Sequence, residues 1–150
     1  MNNNTHSESP FSHLIQIGVV VRDIDEVTKR LSSLGIGPFE PTSPPPGAEG
    51  LFFHEKPLNI ELRQLCTKIG DIELELIQPG QEDSPWKDFL DTKGEGIQHL
   101  GFKVNNLEDV IHTLIEQGAS VFVTGKARGH LQAAYVDLGV GDIIVELMDL

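Results

Sequence analysis

The chain has 150 residues, 39% of them hydrophobic and 23% charged, and its 23 acidic against 11 basic side chains give a formal net charge of −12. This size and composition are typical of one globular domain, and the negative charge argues against nucleic acid or an anionic membrane surface as a partner. The single cysteine cannot form an internal disulfide and no apolar run is long enough to cross a bilayer, so we expect a cytoplasmic protein.

The chain opens with a polar tail, a strand and a helix. Residues 1–10 have no charged-then-apolar targeting pattern and are predicted to be a disordered tail. The β-branched run at residues 15–21 predicts a strand. Helical spacing follows at three apolar positions, Ile24, Val27 and Leu31. Gly35 stands where a helix end favours a left-handed residue, so the helix is predicted to end there.

A loop, two more strands and a connecting helix complete the first half. The prolines and glycines of EPTSPPPGAEG, residues 40–50, predict a loop over one edge of the structure. Residues 60–66 and 72–77 are strand-like. In residues 84–94, Ser84 suits a helix N-cap, the proline after it suits the first helical position, and a glycine ends the helix.

The second half repeats this order. Its predicted elements are a strand at residues 100–104, a helix at 107–114, and short strands at 121–124, 133–136 and 143–148. Each half is therefore a β-α unit followed by two or three strands, which predicts an α+β fold. We expect residues 11–150 to form a single domain. Its parts would be module one at about 11–80, the connecting helix at about 84–94 and module two at about 97–150.

Two fixed offsets relate the halves residue by residue. At an offset of 83, IQIGVVVRDIDEVTKRLSSLG aligns with QHLGFKVNNLEDVIHTLIEQG without a gap, and Gln16 coincides with His99. At an offset of 71, GDIELEL aligns with GDIIVEL, and Glu75 coincides with Glu146. A local twofold axis between the modules would make these polar residues equivalent in pairs.

The strand face of each candidate follows from its neighbours, because side chains alternate along a strand. Gln16 and His99 are predicted to lie on the face opposite the helices, and Glu146 lies between two large apolar neighbours on its own face. A simpler interpretation is that a glutamate in an alternating strand faces solvent, and that a lone glutamine or histidine is a structural hydrogen-bonding residue. The pairwise equivalence instead favours convergence of all four side chains between two curved sheets.

The four candidates combine two carboxylates, an imidazole and an amide oxygen. This mixed nitrogen and oxygen set suits a divalent ion such as Zn²⁺, Ni²⁺, Co²⁺ or Mn²⁺. The sequence therefore predicts a metal site with Gln16, Glu75, His99 and Glu146 as ligands, and with open positions for substrate on an octahedral ion. The loop at residues 40–50 is expected to help form or cover the mouth of this site.

The chain resembles the vicinal oxygen chelate superfamily over residues 11–150, most specifically in IGVVVRDID, LGIGPFE, IELELIQPGQEDSPWKDFL, GEGIQHLGFKV and IIVELMDL. This group includes glyoxalase I, methylmalonyl-CoA epimerase, extradiol dioxygenases and the bleomycin and fosfomycin resistance proteins. The run ELIQPGQEDSP, followed by FL and GEGIQHLGF, is similar to the methylmalonyl-CoA epimerase branch. The resemblance implies two tandem βαβββ modules that form a curved, cup-like mixed sheet around a central metal, with the family's four ligand positions on the residues named above.

The ligand set differs from that of the epimerases, which tend to have histidine at the first position and glutamine or a similar residue at the second. The pair Gln16 and Glu75 instead resembles one form of glyoxalase I. Extradiol dioxygenases need two histidines and one carboxylate for Fe(II), and Gln16 breaks that triad. Oxygen chemistry is therefore not expected.

The resemblance implies a metal-dependent isomerase or lyase that abstracts a proton next to a metal-bound carbonyl and forms an enolate. The substrate would be a small acyl thioester or hemithioacetal, Glu75 and Glu146 would share the acid and base roles, and the assembly would be a homodimer. The alternative is a non-catalytic binding protein that sequesters a drug or metabolite; the four plausible ligands argue against it. Arg128 and His130 lie in a loop that can border the cup, although solvent-facing roles are the simpler interpretation.

Overall fold

The structure is a computed structural model that describes residues 8–150; residues 1–7, most of the predicted tail, lie outside the described residues. The elements are β1 (Leu14–Val20), α1 (Ile24–Ser33), β2 (Glu40–Pro41), β3 (Ala48–Phe53), β4 (Lys56–Pro57), β5 (Leu62–Ile69), β6 (Ile72–Pro79), α2 (Pro85–Lys93), β7 (Gly96–Lys103), α3 (Leu107–Glu116), β8 (Ser120–Ala127), β9 (His130–Asp137) and β10 (Ile144–Met148). None of the helices within residues 8–150 is long and apolar enough to span a bilayer.

All ten strands form one mixed sheet in the order β2-β5-β6-β1-β7-β10-β9-β8-β3-β4. The order contains two matching sets of four strands, which meet where β1 pairs with β7 in antiparallel fashion. In each set the first strand of the module lies parallel to its last strand, β1 beside β6 and β7 beside β10. The predicted α+β fold of two βαβββ modules is therefore confirmed.

The sheet must be curved, because the short segment between β2 and β3 cannot span the width of a flat sheet. Strands β2 and β3 are eight inter-strand spacings apart in the sheet order, which would be about 38 Å in a flat sheet. The seven residue steps from Pro41 to Ala48 span at most about 25 Å. The two edge regions must therefore approach each other, and the segment at residues 42–47 crosses between them.

Each face of the sheet carries its own apolar packing. On one face α1 and α3 cover two separate clusters, centred on Ile24 in module one and on Leu107 in module two. On the other face a single cluster joins Val20, Ile77 and Tyr135 with Trp86 of α2, and takes in side chains from both β5 and β3. A cluster that reaches strands so far apart in the order must lie on the concave face.

The interpretation of residues 40–50 as a loop is wrong at both ends. Glu40 and Pro41 form the edge strand β2, which pairs with β5, and Ala48 begins β3, which pairs with β8 of the other module. Proline is tolerated in β2 because an edge strand leaves one row of N–H groups unused. The register between β3 and β8 shifts after Ala48, and Gly50, with φ at 88°, supplies the left-handed residue of this bulge.

The helix ends agree with the sequence. Gly35 and Gly118 follow α1 and α3 with φ values of 92° and 97°. The hydroxyl of Ser84 accepts a hydrogen bond from the backbone N–H of Lys87, and Gly94 ends α2. These local signals set the two ends of α2. The helix packs against β6, β1 and β7 at the junction of the modules, and Trp86 joins the apolar cluster of the concave face.

Candidate metal centre

The four predicted ligands come from the four central strands, β6, β1, β7 and β10. Their backbone positions form two short rows across these strands, Glu75–Gly18–His99 and Gln16–Gly101–Glu146. Each row therefore places a glycine between one residue of module one and one residue of module two. Because paired residues point to the same face of a sheet, all four polar side chains share the concave face.

The two glycines leave the room that the ligands occupy. A Cβ atom on Gly18 would overlap the imidazole of His99, and a Cβ atom on Gly101 would lie 2.7 Å from Cβ of Gln16. Each module thus provides a glycine for the ligand of the other module. This reciprocal fit explains why the same 83-residue offset repeats both the glycine and the ligand.

The four side chains converge on the Nε2 atom of His99. Oε1 of Gln16 lies 2.9 Å from it, Oε2 of Glu146 lies 3.2 Å away, and Oε2 of Glu75 lies 3.7 Å away. Available ligand atoms of Glu75, His99 and Glu146 all lie within 4.8 Å of one another. The side chains of Gln16, Glu75 and His99 are buried, whereas that of Glu146 is 13% exposed.

Polar neighbours orient two of the oxygen ligands from outside the cluster. The Nε2 group of Gln16 donates a 2.9 Å hydrogen bond to Glu73, which turns the amide oxygen of Gln16 towards His99. The Nε2 group of Gln64 donates a 2.9 Å hydrogen bond to Oε1 of Glu75. The other oxygen, Oε2 of Glu75, is buried and has no hydrogen-bond partner within the described residues.

The donor set fits a divalent cation. Nδ1 of His99 lies 2.7 Å from the amide oxygen of Gln98, an acceptor, and a hydrogen on Nδ1 would leave Nε2 as an acceptor among the oxygens of the cluster. A proton on Nε2 can serve Gln16 or Glu146 but leaves the buried oxygen of Glu75 unpaired. Neighbouring ligands about 2.1 Å from one octahedral ion are roughly 3.0 Å apart, close to the separations seen.

Charge repulsion and burial set the electrostatics of the cluster. Burial first, and then the nearby charges of Glu146 and Glu73, raise the pKa of Glu75 to about 8, while the hydrogen bond from Gln64 opposes the shift. Burial, and then the nearby charges of Glu146 and Glu75, also raise the pKa of Tyr135 well above its usual range. A bound cation would supply the positive charge that these carboxylates lack.

The structure adds residues that the sequence did not single out. Tyr135 pairs with Glu146 across β9 and β10, and its ring stands edge-on to His99 with the centroids 5.1 Å apart. Trp86 packs edge-on against the same tyrosine at 5.4 Å. Cys66 pairs with Glu75 across β5 and β6, and burial raises the pKa of its thiol. The alternation of β5 and β9 would have placed Cys66 and Tyr135 on the site face, had the pairing register been known.

Arg128 and His130 lie outside the four-residue cluster. Arg128 lies in the turn between β8 and β9 with a positive φ of 53°, and His130 is the first residue of β9. The backbone N–H of Arg128 donates to the carbonyl of Gly47, and a carboxylate oxygen of Glu49 accepts from Gly129. These two hydrogen bonds therefore join the turn to Gly47, at the end of the segment that crosses between the sheet edges, and to Glu49 in β3.

Comparison with known sequences identifies relatives of the chain. Residues 15–136 match the family described as the Glyoxalase/Bleomycin resistance protein/Dioxygenase superfamily. The uncharacterized protein YqjC of Bacillus subtilis (strain 168) is 42% identical over an alignment of 83 residues, and the match covers 53% of this chain. The match spans 59% of the length of that protein.

Solved structures with the same fold include methylmalonyl-CoA epimerases. The methylmalonyl-CoA epimerase of Mycobacterium tuberculosis matches with a TM-score of 0.65 and 20% sequence identity, and the match covers 97% of this chain and 93% of the epimerase chain. A methylmalonyl-CoA epimerase in complex with methylmalonyl-CoA and NH4+ matches with a TM-score of 0.64 and 18% sequence identity, and the match covers 91% of this chain and 93% of that chain. A hypothetical protein of Bacillus halodurans C-125 has a TM-score of 0.61 and 25% identity, with the same coverage. The chain therefore belongs to the glyoxalase, bleomycin resistance and dioxygenase superfamily, the vicinal oxygen chelate proteins.

Proposed function

We propose that this protein is a metal-dependent isomerase or lyase that moves a proton on the carbon next to a carbonyl group. The substrate class is an acyl thioester or a hemithioacetal. The observation that carries the proposal is the cluster of inward-facing acceptors around His99, in which a buried oxygen of Glu75 has no hydrogen-bond partner within residues 8–150. Such a cluster is costly without a cation and leaves a carboxylate beside the reacting carbon.

Gln16, Glu75, His99 and Glu146 would hold the ion, with Zn²⁺, Ni²⁺, Co²⁺ and Mn²⁺ as the candidates. When bound, a divalent ion polarises a carbonyl oxygen and makes the neighbouring C–H bond more acidic. Gln16 contributes its oxygen because Glu73 holds its nitrogen. His99 contributes Nε2 because Gln98 accepts its other ring hydrogen.

Glu146 is the residue we assign as the proton acceptor. Its side chain is 13% exposed on the concave face, whereas that of Glu75 is 4% exposed and is held by Gln64. A substrate can therefore reach the carboxylate of Glu146, and Glu75 remains mainly a ligand. Return of the proton to the opposite face of the same carbon gives epimerisation, and its delivery to the neighbouring carbon gives a glyoxalase-type isomerisation.

The lysines on the concave face support an anionic substrate. Lys68 pairs with Glu73 in β5 and β6, and Lys103 pairs with Met148 in β7 and β10, so both share the face of the candidate site. Both are exposed in a chain whose formal net charge is −12. Local positive charge of this kind would offset the repulsion that the whole protein exerts on a carboxylate or phosphate.

A hydrogen-exchange screen in heavy water tests the proposal. The protein, loaded in turn with each of the four metals, is incubated with methylmalonyl-CoA, with other acyl-CoAs, and with methylglyoxal plus glutathione. Methylmalonyl-CoA is the first choice because one solved structure of the same fold contains it. Deuterium at the carbon next to the thioester supports the epimerase form, and a hydroxyacyl thioester product supports the glyoxalase form.

Two control measurements separate the alternatives. Metal analysis of protein purified without chelator reports whether the cluster holds an ion. A metal-loaded protein that binds these ligands without exchange or turnover would favour sequestration over catalysis. We also propose a homodimer, as the resemblance implies, and sedimentation analysis tests this assembly.

A further inference from the structure

We propose that Gln98 is a positioning residue that selects the tautomer of His99 and so keeps its Nε2 lone pair directed into the metal cluster. The inference rests on the proposed metal site and deepens it, because it assigns the residue that makes His99 able to bind a cation. The side chain of Gln98 is buried, and its Oε1 atom lies 2.7 Å from Nδ1 of His99.

A β-bulge brings this side chain to its position. Gly18 pairs with His99, whereas the next residue of β1, Val19, pairs with Ile97, so one extra residue of β7 lies between the two pairs. That residue is Gln98. In a regular strand neighbouring side chains point to opposite faces, and a bulge turns two of them towards the same side. Gln98 can therefore contact the ring of the residue that follows it.

The equivalent bulge in module one carries an apolar residue. Leu14 pairs with Phe102 and Gln16 pairs with Gly101, so Ile15 is the extra residue in β1. The 83-residue offset that relates Gln16 to His99 also relates Ile15 to position 98. The bulge itself therefore does not require a polar side chain. A polar residue occurs in the module whose ligand is a histidine, where an outer ring nitrogen needs an acceptor.

The choice of tautomer decides what the cluster can bind. A neutral imidazole has one N–H donor and one acceptor nitrogen. With hydrogen on Nδ1, the acceptor Nε2 faces the oxygens of Gln16 and Glu146 and all of them can contact a cation. With hydrogen on Nε2, the ring would donate to those same oxygens at 2.9 and 3.2 Å and close the site with hydrogen bonds. The Gln98 oxygen favours the first arrangement.

The test compares two substitutions at one position. Gln98→Met keeps length and volume but removes the acceptor, and Gln98→Glu restores an acceptor. In the metal-free protein labelled with nitrogen-15 in histidine, long-range proton–nitrogen NMR at pH 9 identifies the ring nitrogen of His99 that carries hydrogen. We expect hydrogen on Nδ1 in the wild type and in Gln98→Glu, and a shift towards Nε2 in Gln98→Met. His99→Gln assigns the signal by its loss.

Zinc affinity, measured by competition with a chelator, gives a second readout. We expect about a 10–100-fold loss in Gln98→Met and no loss in Gln98→Glu, as for other partners that orient a histidine ligand. Ile15→Met is the matched control, because it changes the equivalent bulge without an acceptor role, and both readouts should stay at the wild-type value.

Three results would decide against the inference or separate it from the metal proposal. Hydrogen on Nε2 in the metal-free wild type would overturn it without any variant. Wild-type tautomer together with zinc affinity within twofold in Gln98→Met would also overturn it, since Gln98 would then only fill space. If no variant binds zinc but the tautomer follows Gln98, the positioning role stands and the proposed metal function fails.

Discussion

The two modules have the same backbone frame and fill it with different side chains. In module one the carboxylate of Glu75 is shielded from solvent, because Gln64 donates a hydrogen bond to one of its oxygens and the other oxygen is buried. In module two the side chain of the equivalent Glu146 is 13% exposed. The repeat places the four side chains at equivalent positions, and their unlike neighbours give the two glutamates different exposure. This difference is the basis for the separate roles proposed above, in which Glu75 mainly holds the ion and Glu146 accepts the proton.

The residues that pair with the two glutamates show the same contrast. Glu75 lies opposite Cys66 in β5, a small side chain, whereas Glu146 lies opposite Tyr135 in β9, a large ring that contacts both His99 and Trp86. An aromatic pair, Tyr135 of module two and Trp86 of the connecting helix, therefore lies beside His99 and Glu146. Four predictions, from the largest expected effect to the smallest, test whether the modules differ in this way.

The largest effect is expected from Glu146→Gln. The amide keeps the shape and an oxygen ligand but removes the base, so hydrogen exchange with solvent should fall by about 10²–10⁴-fold while some metal is retained. Glu75→Gln should lose less exchange per bound metal and more of the metal itself. Metal content and exchange are measured on the same samples. Equal losses of exchange per bound ion would contradict the division of roles.

The metal-free protein should lose stability as the pH rises. Burial raises the pKa of Glu75 to about 8 in the folded protein from an ordinary value of 4.5, so the folded state keeps a proton that the unfolded state releases. The free energy of unfolding should therefore be higher at pH 5 and fall by about 3 kcal/mol by pH 8. Urea denaturation of wild type and Glu75→Gln measures the difference.

The Glu75→Gln variant should lack this part of the slope and should be more stable than the metal-free wild type at pH 8. Saturating metal should also remove the slope from the wild type, because the cation stabilises the ionised carboxylate. Parallel curves for the two metal-free proteins would show that burial of Glu75 does not control the pH dependence.

A smaller effect is expected from the glycines between the ligands. Gly18→Ala places a methyl group in the ring of His99, so we expect a loss of about 1–3 kcal/mol in stability and at least tenfold weaker zinc binding. Gly101→Ala should also destabilise the protein, because its added Cβ would lie 2.7 Å from Cβ of Gln16, an atom that rotation of the glutamine side chain does not move.

Gly125→Ala is the matched control for the glycine variants. Its added Cβ would lie 3.4 Å from Leu51 and 3.8 Å from Ala133, which are ordinary contacts in the same sheet. Urea denaturation and chelator competition should both give values near the wild type. Zinc binding of Gly18→Ala at the level of Gly125→Ala would mean that His99 can move without losing its role.

The smallest effect is expected from the lysines of the concave face. Lys103→Glu and Lys68→Glu should each raise KM for an anionic substrate by about two- to fivefold, and added salt should reduce the difference. Lys29→Glu on α1, which packs against the opposite face, is the control for net charge. If all three variants shift KM equally, the whole charge of the protein and not a local patch acts on the substrate.

The sequence by itself determined the modules and the convergence of Gln16, Glu75, His99 and Glu146. It could do so because these features depend on local periodicity and on a repeat. A strand of alternating residues has one buried face whatever its partner, and two equivalent strands about a twofold axis bring equivalent side chains together. The helix ends at Gly35 and Gly118 were predictable for the same reason, since a left-handed residue is a local requirement.

Only the tertiary structure decided the pairing of β3 with β8, the bulge at Gln98 and the unequal exposure of the two glutamates. The sequence of residues 40–50 suggested a loop because proline weakens a strand, but an edge position removes that cost. Strand alternation would have turned Gln98 away from His99, and the bulge reverses it. These outcomes depend on which distant strand pairs with each segment. The free energy of that pairing comes from contacts across the whole curved sheet, so no single segment determines it.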